Sequence, residues 1–235
     1  RYPYSPDMAV NPFTFADVAD SAQSVPHGVG SVWATMLWDM SCKLVDRYGY
    51  EPDIHGRAGG NGLALQLVTD GLKLQGCRPT FVMGRNGILA ADAALDAADP
   101  AYLGNKCIIW HAFARRGLGN AASSGSVNSR TDQTPDFTVP AECQSFQVQV
   151  NVTGPGTVGP AASPVTAAYE DVLGFTLTPA AGGTIASATG CEGTLAGNTF
   201  TTLPIVRNCT IDVVFDGVPL PDAIFADGFE EPVTP

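Results

Sequence analysis

The spacing of apolar residues changes along this 235-residue chain, and that change divides the sequence into two parts. Between Val29 and Leu44, apolar residues recur at steps of three and four, which is the period of an amphipathic helix. From Phe146 onward they alternate with polar residues, as in FQVQVNV, which is typical of a half-buried strand. Because one regular element cannot satisfy both periods, we expect an α+β multidomain protein with a boundary near residues 131–143.

The basic residues follow the same division. Of the 12 Lys and Arg, 11 lie at or before Arg130 and only Arg207 follows. The formal net charge is -11 and the sequence has no basic cluster, which argues against a nucleic-acid partner and against an anionic membrane surface.

No apolar run approaches the ~20 residues that cross a bilayer. Because the chain begins with Arg1, we expect a mature or truncated product. A deliberately chosen fragment explains that first residue equally well.

The first part of the chain predicts a helical bundle over residues 1–130. The strongest helix pattern begins at His27 and stops at Gly49. Three further segments have a helical period and short connections, at residues 63–75, 85–98 and 103–116. The glycine-rich stretch GRAGGNG at 56–62 is expected to form a turn between helices.

The second part predicts a small antiparallel β-sandwich over residues 143–217. Five segments are bounded by Gly, Pro or Asn and have strand patterns: FQVQVNV, VLGFTLTP, GTIASATG, NTFTTLP and CTIDVVF. The polar residues 131–142 are expected to form a linker, and residues 218–235 an extended acidic tail.

The six cysteines favour disulfides in an oxidising compartment, because their number is even and none forms a CxxC pair. We expect a bridge between Cys191 and Cys209, which both lie in the β-rich part. The second candidate bridge joins Cys77 to Cys107, because each borders a helix. Cys42 lies within an apolar helix pattern and is expected to be a buried thiol.

No complete active-site motif is present in the sequence. The three histidines are His27, His55 and His111, and they form neither an HExxH motif nor any pair one helical turn apart. The nucleophile elbow GxSxG and the phosphate loop GxxxxGK[ST] are also missing. His111 is expected at the surface or satisfied within the core. Four acidic residues are expected on solvated faces or in local ion pairs: Asp39, Asp46, Asp92 and Asp96.

His27 is the residue with the strongest claim to a catalytic role. It stands at the entrance of the strongest helix, where an imidazole could project into a cleft and donate a hydrogen bond to a developing oxyanion. From position alone, a histidine with no catalytic role is the simpler interpretation.

Four stretches of the first part resemble the fungalysin family of zinc metalloendopeptidases. They occur in the family's order: RYPYSPDMAVNPFTF, VPHGVGSVWATMLWDM, GGNGLALQLVTDGLKLQGCRPTFVMGRNGILAADAAL and IIWHAFARRGLGNAASSGSVNSRTD. The resemblance implies a secreted, extracellular enzyme and identifies residues 1–130 as the helical C-terminal lobe of a thermolysin-like catalytic domain.

The same resemblance implies how the site is divided between this chain and the rest of the enzyme. Family members bind zinc through HExxH and a downstream Glu, which would precede Arg1. We therefore expect zinc in the parent enzyme, protein or peptide substrates, and a zinc-bearing N-terminal lobe as the missing partner of this chain. His27 corresponds to the histidine that stabilises the oxyanion, although this sequence has Val-Pro-His where relatives commonly have Val-His. Arg1 corresponds to an arginine that holds the substrate carbonyl beyond the scissile bond.

Two further expectations follow from the resemblance. The chain alone should be inactive and bind no stoichiometric zinc, because the zinc motif is missing from it. Residues 143–217 resemble small β-domains appended to bacterial secreted enzymes, which serve attachment, spacing or substrate proximity. The alternative is a secreted, non-catalytic adhesion or binding protein that retains the helical lobe.

Overall fold

The computed structural model describes residues 2–54 and 59–217, and the chain separates into two compact units. The first unit is Arg1–Gln144 and the second is Ser145–Pro235. Arg1, His55 and the predicted acidic tail at 218–235 lie outside the described residues.

The four predicted helices are present in the first unit. They are α1 (His27–Tyr48), α2 (Gly59–Leu74), α3 (Phe81–Ala98) and α4 (Lys106–Arg115). Two short 3-10 helices, Phe15–Ala19 and Ala141–Cys143, flank them in the sequence. Within the described part of the chain, no helix is both long and apolar enough to span a membrane.

Helix α1 forms because its apolar residues share one face. Val32, Met36, Met40 and Leu44 are all fully buried along that face, as their spacing of four residues requires. The helix ends at Gly49, whose φ of 77° favours glycine.

The prediction of a turn at the glycine-rich stretch is wrong for the residues that the structure describes. Residues 59–62 form the first turn of α2. A Cβ added to Gly60 would lie 2.0 Å from the carbonyl oxygen of Leu44. Glycine is therefore required here for the close approach of α2 to the end of α1, rather than for a turn.

The segment that follows α4 packs within the first unit. Gly119 donates a backbone hydrogen bond to Asp136 (2.7 Å), and Ser123 donates one to Thr134 (2.9 Å). The buried Arg85 guanidinium donates to the carbonyl of Leu118 (2.9 Å). Part of the predicted linker at 131–142 thus makes backbone hydrogen bonds to the residues that follow α4.

The second unit contains the five predicted strands and three additional ones. The strands form two four-stranded sheets of order β3-β1-β8-β5 and β2-β4-β7-β6. In chain order they are β1 (Ser145–Thr153), β2 (Gly156–Gly159), β3 (Val165–Ala168), β4 (Gly174–Pro179), β5 (Ile185–Gly190), β6 (Thr194–Ala196), β7 (Thr199–Thr201) and β8 (Cys209–Phe215). The additional strands β2, β3 and β6 have three or four residues each.

One strand pair differs from the predicted antiparallel arrangement. Strands β1 and β8 pair in parallel, with Val148 opposite Cys209 and Val150 opposite Ile211. The long stretch of chain between these two strands allows the crossover that a parallel pair needs. The other described pairs are antiparallel. The core of this unit consists of alternate strand residues such as Phe146, Phe175 and Val213.

Two disulfides are formed. The predicted bridge Cys191–Cys209 is confirmed. The suggested bridge between Cys77 and Cys107 is wrong, because Cys107 at the start of α4 pairs with Cys143, at a Cα–Cα distance of 5.1 Å. Cys77 is an exposed free thiol, and Cys42 is free but only half-buried. The position of a cysteine next to a helix in the sequence does not indicate which distant segment of the chain packs beside that cysteine.

Candidate functional site

His27 is the first residue of α1 and its side chain is exposed. Its carbonyl oxygen accepts a hydrogen bond from the Ser31 hydroxyl at 2.9 Å, which ties the first turn of the helix together. The imidazole is thus held at the surface by a regular element, where it can donate an N–H to a bound molecule.

Two cavities adjoin the start of α1. Val25 and Pro26, which directly precede His27, line a groove of about 560 Å³. Gly28 and Ser31 line a second cavity of about 480 Å³. The candidate catalytic histidine therefore lies, in sequence, between residues that line two different cavities.

The second cavity is polar and includes the N-terminal segment. Tyr2, Asp17 and Asp20 also line it. The Asp17 carboxylate accepts hydrogen bonds from the backbone (2.7 Å) and hydroxyl (2.9 Å) of Thr14, so its position is fixed by the local chain. Because Tyr2 follows Arg1 directly, the described chain reaches this cavity one residue after Arg1.

A buried arginine fixes the N-terminal segment. Arg116 is 0% exposed, and its Nε donates to Asp39 Oδ2 at 2.7 Å while its Nη2 donates to Asp39 Oδ1 at 3.0 Å. The same guanidinium donates to the carbonyls of Ser5 (2.9 Å) and Phe13 (3.0 Å), and also to that of Asn11. A single side chain thereby holds the residues that lead into the site against α1.

The prediction of solvated faces is wrong for two of the four acidic residues. Asp39 is 1% exposed and Asp92 is 2% exposed. The hydrogen-bond partners of these two carboxylates lie in other segments of the chain, as Arg116 does for Asp39. Local sequence spacing could therefore not identify them. The one available signal was the position of Asp39 between Met36 and Met40, on the apolar face of α1.

Asp92 organises the entry into α4. Its carboxylate accepts the backbone N–H of Asn105 at 2.8 Å and the hydroxyl of Tyr102. Burial raises the pKa of Asp92, although these hydrogen bonds act in the opposite direction. Burial, together with the hydrogen bond to Asp92, also raises the pKa of Tyr102. This network orients α4, whose Cys107 carries one of the disulfides.

The described residues do not fit a zinc ion. Residues 2–54 and 59–217 contain no group of three His, Cys, Asp or Glu side chains that could hold a metal. His111 Nε2 lies 2.8 Å from the carbonyl oxygen of Cys143, as predicted for a satisfied histidine.

Comparison with known proteins identifies a matching family and several similar sequences. The profile of the fungalysin metallopeptidase (M36) family matches residues 1–122. "Extracellular metalloproteinase 10" of Coccidioides posadasii is 41% identical over 149 residues, which is 61% of this chain and 22% of that protein. "Extracellular metalloproteinase 2" of Trichophyton tonsurans is 38% identical over the same shares. "Extracellular metalloproteinase MEP" of Neosartorya fischeri is 41% identical over 134 residues, 54% of this chain and 20% of that protein. The chain thus spans about a fifth of the length of these relatives.

Proposed function

The chain belongs to the fungalysin metallopeptidase family, and from this premise we propose that it is the C-terminal portion of a secreted zinc metalloendopeptidase that hydrolyses peptide bonds in proteins. The observation that carries the proposal is the family match over residues 1–122, which includes all four helices and His27. The names of the relatives support an extracellular location. In this proposal the first unit is the helical lobe of a thermolysin-like catalytic domain.

The zinc of the parent enzyme is proposed to be held by a lobe that precedes Arg1. The family requires a metal, and the described residues of this chain offer no group that fits one. This chain's own contribution is then to bind and orient the substrate and to stabilise negative charge. The chain alone is expected to be inactive.

His27 is proposed to donate a hydrogen bond to the carbonyl oxygen of the scissile peptide as that oxygen gains negative charge. A donor that is already in position stabilises the transition state more than the ground state, which is what accelerates the reaction. The exposure of His27 at the start of α1 supports this role, because a substrate can reach it without any rearrangement of the core.

Arg1 is proposed to hold the substrate carbonyl beyond the scissile bond. A guanidinium donates charge-assisted hydrogen bonds of well-defined direction to a carbonyl oxygen. Support comes from the next residue, Tyr2, which lines the same cavity as Gly28, the residue after His27. Arg116 anchors the segment from Ser5 to Phe13 and so contributes to the position of the chain that follows Arg1.

The second unit is proposed to be an accessory β-sandwich of the type appended to bacterial secreted enzymes. Alternate burial along β1 and β4 supports a sheet with one face in a core. Its role would be attachment or spacing.

The coding sequence upstream of Arg1 and the activity of the encoded polypeptide test the proposal. We expect an HExxH motif with a downstream Glu, and casein cleavage by the full polypeptide that EDTA abolishes and zinc restores. The 235-residue chain should cleave no casein in the same assay. EDTA-sensitive cleavage by this chain alone would contradict the division of the site, and a reading frame that opens at a signal peptide directly before Arg1 would favour a non-catalytic binding protein.

A further inference from the structure

We propose that Arg130 is a positioning residue, whose guanidinium fixes the turn before α1 and thereby the location of the His27 imidazole. The inference rests on the proposed peptidase function and deepens it, because it names a residue on which the oxyanion donor depends. Arg130 lies in the irregular segment after α4, whereas His27 begins α1, so only the folded chain brings the two segments together.

One hydrogen bond joins Arg130 to the turn before α1. Arg130 Nη1 donates to the carbonyl oxygen of Gln23 at 2.6 Å, and the contact is partly buried. Because the donor is positively charged, this hydrogen bond is stronger than one between two neutral groups. Gln23 also donates its backbone N–H to the carbonyl of Asp20 at 3.0 Å. The Gln23 backbone is therefore held both by a local turn and by a side chain from a distant segment.

The residues at this turn contact the first turn of α1. Gly28 is buried, and a Cβ added to it would lie 2.9 Å from Gln23 Cα, so only glycine permits this close packing. Ser24 accepts the Gly28 N–H with its hydroxyl (3.1 Å) and carbonyl (2.8 Å) oxygens. The Ser24 carbonyl also accepts the N–H of Val29 at 3.2 Å. Because the first N–H groups of a helix have no acceptor within it, the turn before α1 fixes the helical turn that begins at His27.

The loop that carries Arg130 is held in shape by its own hydrogen bonds. Two backbone hydrogen bonds, of 2.9 and 2.8 Å, join Ser123 and Thr134 at the ends of the loop. Inside the loop, the Asp132 carboxylate accepts the backbone N–H of Ser126 at 2.9 Å. Arg130 therefore projects from a closed loop, which limits the positions that its guanidinium can take.

The hydrogen bond between Arg130 and Gln23 lies next to the candidate site. Arg130 lines the groove of about 560 Å³, and Gln23 lines the second cavity of about 480 Å³. Their hydrogen bond therefore joins the linings of the two cavities between which His27 lies in sequence. A catalytic donor loses much of its effect when it is displaced by about 1 Å. Arg130 thus acts on the reaction through His27, without donating to the scissile carbonyl itself.

Three substitutions separate the hydrogen bond from the bulk of the side chain. Arg130→Met keeps an unbranched apolar stem and removes every hydrogen-bond donor. Arg130→Lys restores a charged donor on a flexible stem. Arg78→Met is the matched control, because Arg78 contacts the same loop through a hydrogen bond to the Asn128 side chain (2.6 Å) and takes no part in the contact with Gln23.

Amide hydrogen exchange of the 235-residue chain, followed by NMR, tests the positioning without any need for activity. Arg130→Met should raise the exchange rates of the Gly28 and Val29 amides by about tenfold or more, as the loss of a charge-assisted hydrogen bond implies. The amide of Met36, in the buried middle of α1, should stay within about twofold of its native rate. Arg130→Lys should recover most of the lost protection, and Arg78→Met should leave both parts of α1 unchanged.

Steady-state proteolysis by the full polypeptide tests the consequence for the reaction. Arg130→Met should lower kcat by about tenfold with KM within about threefold, because a displaced donor weakens binding of the transition state more than binding of the substrate. In the His27→Ala background the same substitution should change kcat by less than about twofold, since the residue through which Arg130 acts is gone. Arg78→Met should leave kcat and KM unchanged.

Three results would overturn the inference. Native exchange rates of the Gly28 and Val29 amides in Arg130→Met would show that the hydrogen bond does not hold the turn. A raised KM with native kcat would make Arg130 a substrate-binding residue, and an equal loss of kcat with and without His27 would show that it acts independently of His27.

A second variant and a separate readout keep these outcomes distinct. If Arg130→Met fails to fold, Gly28→Ala makes the same test from the helix side, because the added Cβ forces the Gln23 backbone away from α1. It should then raise the exchange rate of the Val29 amide in the same way. Failure of the proposed peptidase function is visible on its own, because the unsubstituted full polypeptide would then cleave no casein while Arg130→Met still alters exchange at the start of α1.

Discussion

The two units of the chain accommodate polar groups in different ways. Among the described residues, the first unit buries seven polar or charged side chains, whereas the second buries only Thr202. The seven are Asn11, Thr35, Asp39, Arg85, Asp92, Asn105 and Arg116. In the second unit the strand ladders satisfy most backbone groups, so few buried side chains are needed as partners.

The buried polar groups of the first unit hold irregular segments in place. Arg116 binds the carbonyls of Ser5 and Phe13, and Arg85 binds the carbonyl of Leu118. Irregular chain lacks ladder partners, so side chains must supply them. The same irregular segments contribute residues to both cavities near His27, including Tyr2 and Val127. The comparison indicates that the costly buried charges belong to the unit that contains the candidate site.

The largest effect on stability is expected from Asp39→Ala. This change leaves the fully buried Arg116 guanidinium without its carboxylate, which costs about 3–5 kcal/mol of unfolding free energy. Chemical denaturation monitored by tryptophan fluorescence checks it, because Trp33, Trp38 and Trp110 all lie in the first unit. The matched control is Asp46→Ala, on an exposed position of the same helix, which should cost less than about 0.5 kcal/mol. Equal losses of unfolding free energy in Asp39→Ala and Asp46→Ala would contradict the contrast drawn between the two units.

A comparable but separate effect is expected in the second unit when its disulfide is removed. The Cys191–Cys209 bridge closes a loop with a sequence separation of 18, and its loss in a Cys191→Ala/Cys209→Ala double variant should cost about 3 kcal/mol. Hydrogen exchange should show faster opening of β5 and β8 with little change in α1. Equal destabilisation of α1 would show that the two units do not unfold independently.

A smaller effect is expected from Thr202, the one buried polar side chain among the described residues of the second unit. Thr202→Val removes the hydroxyl that accepts the Leu173 backbone N–H at 3.0 Å, while keeping the shape of the side chain. Leaving that N–H unpaired should cost about 1–3 kcal/mol. Urea denaturation of the variant measures the cost, with Thr201→Val, an exposed position of β7, as the control. A cost above that of Asp39→Ala would reverse the contrast between the units.

The subtlest effect is a pH dependence in the first unit. Because burial raises the pKa of Asp92, the folded state retains a proton that the unfolded chain has already released above about pH 4. The contribution of Asp92 to stability is therefore greatest at or below that pH and falls as pH rises through the folded-state pKa. Relative to Asp92→Asn, which cannot titrate, the native protein should lose stability over this range. Thermal unfolding at a series of pH values checks the sign, and a difference that grows in favour of Asp92 with rising pH would contradict it.

The fold was predictable where the signal lies within one element. The apolar stripe of α1 and the alternation in β1 each depend on neighbours a few residues away, and both elements were predicted. The partners of Asp39 and Cys107 lie 77 and 36 residues away, and no local pattern identifies them. The parallel pairing of β1 with β8 was missed for the same reason.

In the candidate site, too, features within one element were predictable and features formed by several segments were not. The position of His27 at the start of a helix could be predicted, because a periodic pattern begins there. The groove could not, since Val25, Leu72 and Val127 come from three separate segments that only the folded structure brings together. Arg1 stays a prediction, because it lies outside the described residues.

Steady-state proteolysis by the full polypeptide carrying His27→Ala tests the central claim most directly. Removing the proposed oxyanion donor should lower kcat by about 10²–10³-fold, with zinc content and thermal unfolding unchanged. His111→Gln is the matched control, because it replaces the histidine that contacts the Cys143 carbonyl and should retain activity. A kcat for His27→Ala within about threefold of the native value would contradict the claim that this chain supplies the oxyanion-stabilising side of the active site.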